Sequence, residues 1–243
     1  MKNRLFKEAI LLLIVPFLMQ GCASTSRDIS YHDLFPSKKS ASAHPGAVAV
    51  TRFTDKRPSE NDSTIASSFV LLLPLLYYHE RQEKPELGDD PENPFSGMSL
   101  TEEIPLAISN AMKDRGLFNR VYYARDGKVS GAQWVLEGEL IHTRITMRYQ
   151  GYLLPLTALW WIFGLPGANA TIENELTLTL KDAKTDQVVL QRTVTSSIKT
   201  PMFYLYTYYS GEQGRDRATY YFAKSLNEAT KPFFDEIEGM KSP

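Results

Sequence analysis

The chain of 243 residues contains one cysteine, Cys22, and four histidines. A lone thiol cannot close a disulfide within the chain, so stability has to come from packing even in an oxidising compartment. The histidines, His32, His44, His79 and His142, are scattered. His79-Glu80 is followed by no second histidine, so the helical motif that holds a catalytic zinc is missing. Neither a glycine-rich phosphate loop nor a nucleophile elbow occurs. Charge of one sign never accumulates: 27 basic residues face 28 acidic ones, for a formal net charge of -1. That balance gives no footprint for nucleic acid. No catalytic constellation, metal site or cofactor motif is visible, and the sequence reads as non-enzymatic. With 43% hydrophobic and 12% aromatic residues it can nonetheless bury a sizeable core.

The single cysteine closes an N-terminal pattern. Lys2, Arg4 and Lys7 precede a charge-free run from Ala9 to Met19, and Leu18-Met19-Gln20-Gly21-Cys22 follows on. The layout resembles a bacterial lipoprotein signal peptide ending in a lipobox. The resemblance implies that residues 1 to 21 are a signal peptide and that Cys22 is the lipidation site. Its thiolate would take a diacylglyceryl group as a thioether, with palmitate-type acyl chains completing the anchor. An apolar run this short does not span a hydrocarbon core, which needs about 20 residues. Acyl chains, at about 0.8 kcal/mol per buried methylene, hold a protein at a membrane without spanning it. Ala23 and Ser24, with no aspartate after the cysteine, imply outer-membrane sorting by the enterobacterial rule, with the body facing the periplasm.

Residues 22 to 45 are rich in Ser, Ala, Lys and Asp and lack a sustained period, as a flexible tether does. A single domain is expected over 46 to 240. Gly46 to Phe53 reads as a strand with Val48 and Val50 on one face. Leu100 to Arg115 places Leu100, Ile104, Ala107, Ile108, Ala111 and Met112 on one helical face, with Ser99 as cap and Gly116 as stop. A short strand is expected near 120 to 124. From Trp134 to Arg148 the alternation of Leu136 and Leu140 changes phase at Ile141, Ile145 and Met147, which predicts a bulge. Leu176, Leu178 and Leu180 alternate with Thr177, Thr179 and Lys181, and a turn near 184 to 187 returns the chain into 188 to 198 as a hairpin. A last helix is expected over 217 to 237. The fold class is therefore α+β, a mostly antiparallel sheet with two main helices packed on one face and two apolar insertions, about 56 to 98 and 149 to 171.

The strand motifs Val48-Ala49-Val50-Thr51-Arg52-Phe53-Thr54-Asp55, Trp134-Val135-Leu136-Glu137-Gly138-Glu139-Leu140 and Leu176 to Leu190 resemble those of envelope lipoproteins with a TolB-amino-terminal-like domain, and of auxiliary lipoproteins of export systems. The resemblance implies a non-enzymatic accessory role in envelope assembly or export.

The insertions carry Phe69 to Tyr78 and Tyr152 to Pro166, both too apolar for ordinary surface loops and both interrupted by proline. Leu73, Leu75, Tyr77, Leu156, Trp160, Trp161 and Phe163 form the candidate interaction patch, for a membrane or for an envelope protein partner. The competing reading has the two insertions covering one another to close the core. Pro155, Gly164, Pro166 and Gly167 leave the second too short for a transmembrane helix. Were the insertions to enclose a cavity, the protein would instead handle an acyl chain; a cleft with paired carboxylates would mark a glycan-acting enzyme. The aromatic run Phe203 to Tyr209 reads as a packed strand or linker. Asp55 and Arg57 are placed to form a turn salt bridge. Glu80, Glu83, Glu86, Asp89, Asp90 and Glu92 lack calcium-loop spacing and read as a solvated loop.

Overall fold

The sheet is organised by one long strand, β6. In chain order the elements are β1 (His44–Thr51), β2 (Thr54–Asp55), β3 (Asp62–Val70), β4 (Leu73–Gln82), a 3-10 turn (Pro85–Leu87), α1 (Leu100–Arg115), β5 (Phe118–Ala124), β6 (Trp134–Gly151), β7 (Ala168–Asp182), β8 (Val188–Met202) and α2 (Gly211–Gly239). The structure, a computed structural model, describes residues 44–59, 62–70, 73–87, 95, 98–151, 168–202 and 211–240. Side chains are described for all of these except 62–80, 149–151, 168, 201–202 and 211–218.

One edge of β6 is taken by β7 along its whole course, antiparallel from Trp134↔Asp182 to Tyr149↔Ala168, and β8 pairs with β7 beyond it. The other edge is shared. Residues 134–136 pair with β1, 139–140 with β2, and 145–151 with β4. β5 adds to β1 and β3 to β4. The architecture is α+β, but the sheet is mixed where a mostly antiparallel one was expected: β1 runs parallel to both β5 and β6, and β2 runs parallel to β6. The parallel pair β1–β5 follows from α1, whose crossover returns the chain to run beside β1 in the same direction. Residues 62–70 and 73–82, part of the first expected insertion, form the antiparallel β3–β4 pair of the same sheet.

The predicted phase change in β6 is present as a bulge between Leu140 and His142. Before it Leu136, Gly138 and Leu140 are buried; after it Thr143 and Ile145 are, while Ile141 is only half-buried. In β7 every even residue from Ala170 to Leu180 is buried and the odd ones between them are not. Helix α1 runs over the predicted span and buries the predicted face. Ser99 does not cap with its hydroxyl, which instead meets Thr101 Oγ1 at 3.1 Å; its carbonyl accepts the Glu102 and Glu103 N–H groups. Pro105 has no N–H to give the Thr101 carbonyl, and that carbonyl accepts from Phe53 N at 3.1 Å, which ties the end of β1 to the helix. Phe53 then lies against Gly138: a Cβ there would stand 2.6 Å from its ring, so only glycine fits. The helix closes on Gly116 at φ 65, in the left-handed region. Both helices, with Met112, Phe222, Leu226 and Phe233 at 0% exposure, contribute to one core with Leu136, Leu140, Leu176 and Leu178.

Leu176 sits in register between Leu140 and Val194, all three buried, whereas Thr179 points to the other face. Leu176→Lys buries an unpaired charge and is expected to cost several kcal/mol, while Thr179→Lys, beside Glu137, is expected to stay within about 0.5 kcal/mol of the parent. Thermal melts of the two variants check the register; equal losses would refute it.

Candidate functional site

Along the shared edge of β6, β2 ends at the Asp55–Leu140 pair and β4 begins to pair only at Gln82–Ile145. Lys56 N reaches the Leu140 carbonyl at 2.9 Å, and the bulge falls in the gap that follows. Charged side chains fill this seam. Arg57 is 6% exposed and gives two hydrogen bonds to Asp55, Nε to Oδ1 at 2.9 Å and Nη2 to Oδ2 at 3.1 Å. Its other donors reach Glu86, at 3.1 Å from Nη1 to Oε2 and in a second contact from Nη2 to Oε1, and Thr143 Oγ1 at 2.7 Å. The planar guanidinium suits this bidentate task in a way lysine does not. Lys84 adds a contact to Asp55 Oδ2 at 3.0 Å.

A second cluster forms on Glu83, itself 2% exposed. Its carboxylate accepts from Arg144 Nε at 2.7 Å and Arg81 Nε at 2.9 Å, and lies 3.1 Å from His142 Nδ1. Arg144 continues to Glu173 on β7 at 3.2 Å. Thr143, fully buried, joins the two clusters: it accepts from Arg57 and donates to the Glu83 carbonyl at 3.3 Å. Burial pushes the Asp55 carboxyl up, but hydrogen bonds from Arg57 and Lys84 outweigh it and hold the group at about 2. Glu83 is likewise raised by burial and lowered further by Arg144, His142 and Arg81, ending below the usual carboxylate range. Carboxylates paired and held low are ion-pair partners and not proton donors, so the chemistry this arrangement performs is to clamp β2, β4 and β7 to the bulged part of β6.

The predicted Asp55–Arg57 pair is therefore present, with Arg57 buried and Asp55 at the surface, and as part of a larger network. Glu83 and Glu86, expected in a solvated loop, are buried, with side chains 3% and 7% exposed. Asp89, Asp90 and Glu92 lie outside the described residues. The signal that could have found Glu83 was the pair of basic residues His142 and Arg144 just after the phase change, together with Arg81 two residues before Glu83. Among the described residues no group of three or more His, Cys, Asp or Glu is placed to hold a metal. Of the expected patch, Leu73, Leu75 and Tyr77 lie on β4, the first two beyond the last residue of β6 to pair with that strand. Cys22, Leu156, Trp160, Trp161 and Phe163 lie outside the described residues, as does the run Phe203 to Tyr209.

No known family model matches the chain, and no curated protein matches its sequence. Among solved structures it is similar to a protein from Xanthomonas campestris at 12% identity and a TM-score of 0.42, covering 83% of this chain and 91% of that one. It is also similar to PelC from Paraburkholderia phytofirmans, a dodecamer, at 14% identity and a TM-score of 0.35, covering 79% and 94%. A hypothetical protein from Chlamydia trachomatis matches at 10% identity and a TM-score of 0.38, covering 80% and 94%. Likeness at this level leaves the site to be read from its own chemistry.

Arg57→Met leaves Asp55 and Glu86 without their shared cation and is expected to cost about 3–5 kcal/mol, the usual penalty for breaking a buried pair. Because Asp55 and Glu83 are held low, the stability they contribute is complete above the ordinary carboxylate range and is lost as pH falls from about 4 towards about 2. Denaturant melts across that window are expected to show a steep acid loss in the parent and a shallower one in Arg57→Met. Parallel slopes would contradict the assignment.

Proposed function

We propose that this chain is a lipid-anchored, non-enzymatic accessory protein of the bacterial envelope, held at the outer membrane through Cys22 and presenting its α+β domain to an envelope partner in assembly or export. The observation that carries the reading is Leu18-Met19-Gln20-Gly21-Cys22 at the end of a charge-free run that follows Lys2, Arg4 and Lys7. The domain supports it in two ways. Its first described strand starts at His44, 22 positions after Cys22 in the sequence, so an anchor on Cys22 does not fall within a described element. The buried Glu83 carboxyl and the more exposed Asp55 carboxyl are both pushed low, whereas a glycan-acting enzyme keeps one carboxyl protonated near neutral pH. The TolB-amino-terminal-like strand motifs agree with an accessory role.

Expression of the full chain in a bacterial host with labelled palmitate tests the anchor. The parent is expected to carry label and to fractionate with outer membranes, and Cys22→Ser to lose the label and accumulate as a larger precursor. Label on the variant would reject Cys22 as the lipid site.

A further inference from the structure

Three stretches of the sequence carry no Lys, Arg, Asp or Glu: Ser63 to Tyr78, Tyr149 to Ile172 and Thr200 to Gly211. They are far apart in the chain, and the sheet brings their described strand residues, 63–70, 73–78, 149–151, 168–172 and 200–202, towards one end. The last rungs there are Leu76↔Gly151 between β4 and β6, Tyr149↔Ala168 between β6 and β7, and Ala168↔Met202 between β7 and β8. The β3–β4 hairpin continues past them through Ser68↔Leu75, Phe69↔Pro74 and Val70↔Leu73.

The approach to this end is layered. Arg81↔Thr146, Glu80↔Met147 and His79↔Arg148 are polar or charged rungs; Tyr78↔Tyr149 and Tyr77↔Gln150 come next; beyond them there is no charge. Tyrosine between a charged zone and a charge-free zone is the order found at a membrane interface. A protein-binding patch shares the aromatics but adds arginine among them, and none of the three stretches has an arginine. The opposite end of the sheet holds the Trp134↔Asp182 rung and the exposed turn at Lys184, and the chain from Cys22 arrives on that side at His44.

The geometry points to the β3–β4 end, with Phe69, Val70, Leu73 and Leu75, as a second attachment to the phospholipid bilayer that holds Cys22, with Tyr77, Tyr78 and Tyr149 at headgroup level. This rests on the lipid anchor proposed above. From Trp134 to Gly151 there are 17 residue steps, about 56 Å at ~3.3 Å per residue, so a domain standing on its tether would carry this end far from the membrane. A domain lying along the surface brings both ends of the sheet to it. Covalent attachment supplies an effective concentration on the order of millimolar, so a few apolar residues suffice to hold the second contact.

With Cys22 occupied by lipid, one introduced cysteine is the only free thiol. The full lipidated chain carrying an environment-sensitive fluorophore at Leu75→Cys, or at Phe69→Cys as a second site, is reconstituted on phosphatidylethanolamine–phosphatidylglycerol vesicles, with Lys184→Cys as the far-end control. The proposal expects a blue shift at both hairpin sites and quenching by brominated acyl chains in the anchoring vesicle, no change at Lys184→Cys, and loss of both signals when Leu73→Asp is added. An aqueous spectrum at the hairpin, quenching only from a separate vesicle population, or a shift that follows pairing with a second copy of the chain would each overturn it. Intact mass before labelling reports the lipid on Cys22 independently, and only chain that carries the lipid is labelled and scored at the hairpin, so failure of the anchor and failure of the second contact are distinguished.

Discussion

A strand of 18 residues cannot leave one edge bare, and β6 has no single neighbour long enough to cover it. Three short partners share that edge, and where β2 stops and β4 starts the backbone ladder is interrupted next to a bulge. Unpaired polar groups at such a place are costly. Lys56 N meets the Leu140 carbonyl, and charge fills the rest of the gap: Arg57 and Glu83 enter the seam, each surrounded by groups of opposite sign, and the Thr143 hydroxyl joins them. Buried ion pairs are weak sources of net stability, but removal of one member is severe. Their contribution here is to fix where β4 docks, and with it the direction in which the β3–β4 hairpin leaves the sheet.

Much of this was legible in the sequence because it depends on periodicity. The alternation of Leu176, Leu178 and Leu180 gave the face of β7, the spacing of Ile104, Ile108 and Met112 gave α1, and the phase change after Leu140 gave the bulge. Parallel pairing was not legible, since a strand carries no mark of the direction of its neighbour. The seam was half legible. Asp55 and Arg57 are adjacent in sequence, whereas Glu83 and Arg144 are 61 residues apart and meet only through the register of β4 on β6. An acidic stretch between prolines looks solvated until the fold supplies its cations. Ser99 was placed correctly as the residue before the helix, but its carbonyl and not its hydroxyl serves the first turn.

The functional reading joins the two ends of the molecule. In that proposal the lipid on Cys22 serves the end of the sheet where β1 begins at His44, and the charge-free hairpin serves the other, with the buried ion pairs of the seam between them. Rigid docking of β4 matters for such a molecule: a hairpin able to pivot on β6 would not hold Leu73 and Leu75 in a defined direction. The seam therefore connects stability to function without any bond-making step, in keeping with a protein that positions and attaches.

Native-state hydrogen exchange tests the clamp most directly. If the seam holds β4 on β6, Glu83→Gln is expected to lower protection at the β4 amides from Leu76 to Gln82 while those of β7 from Leu176 to Leu180 stay close to the parent, a local opening well below the global unfolding free energy. Equal loss of protection in β4 and β7, or no loss in either, would contradict the claim that the buried charges at the bulge are what fasten the hairpin to the sheet.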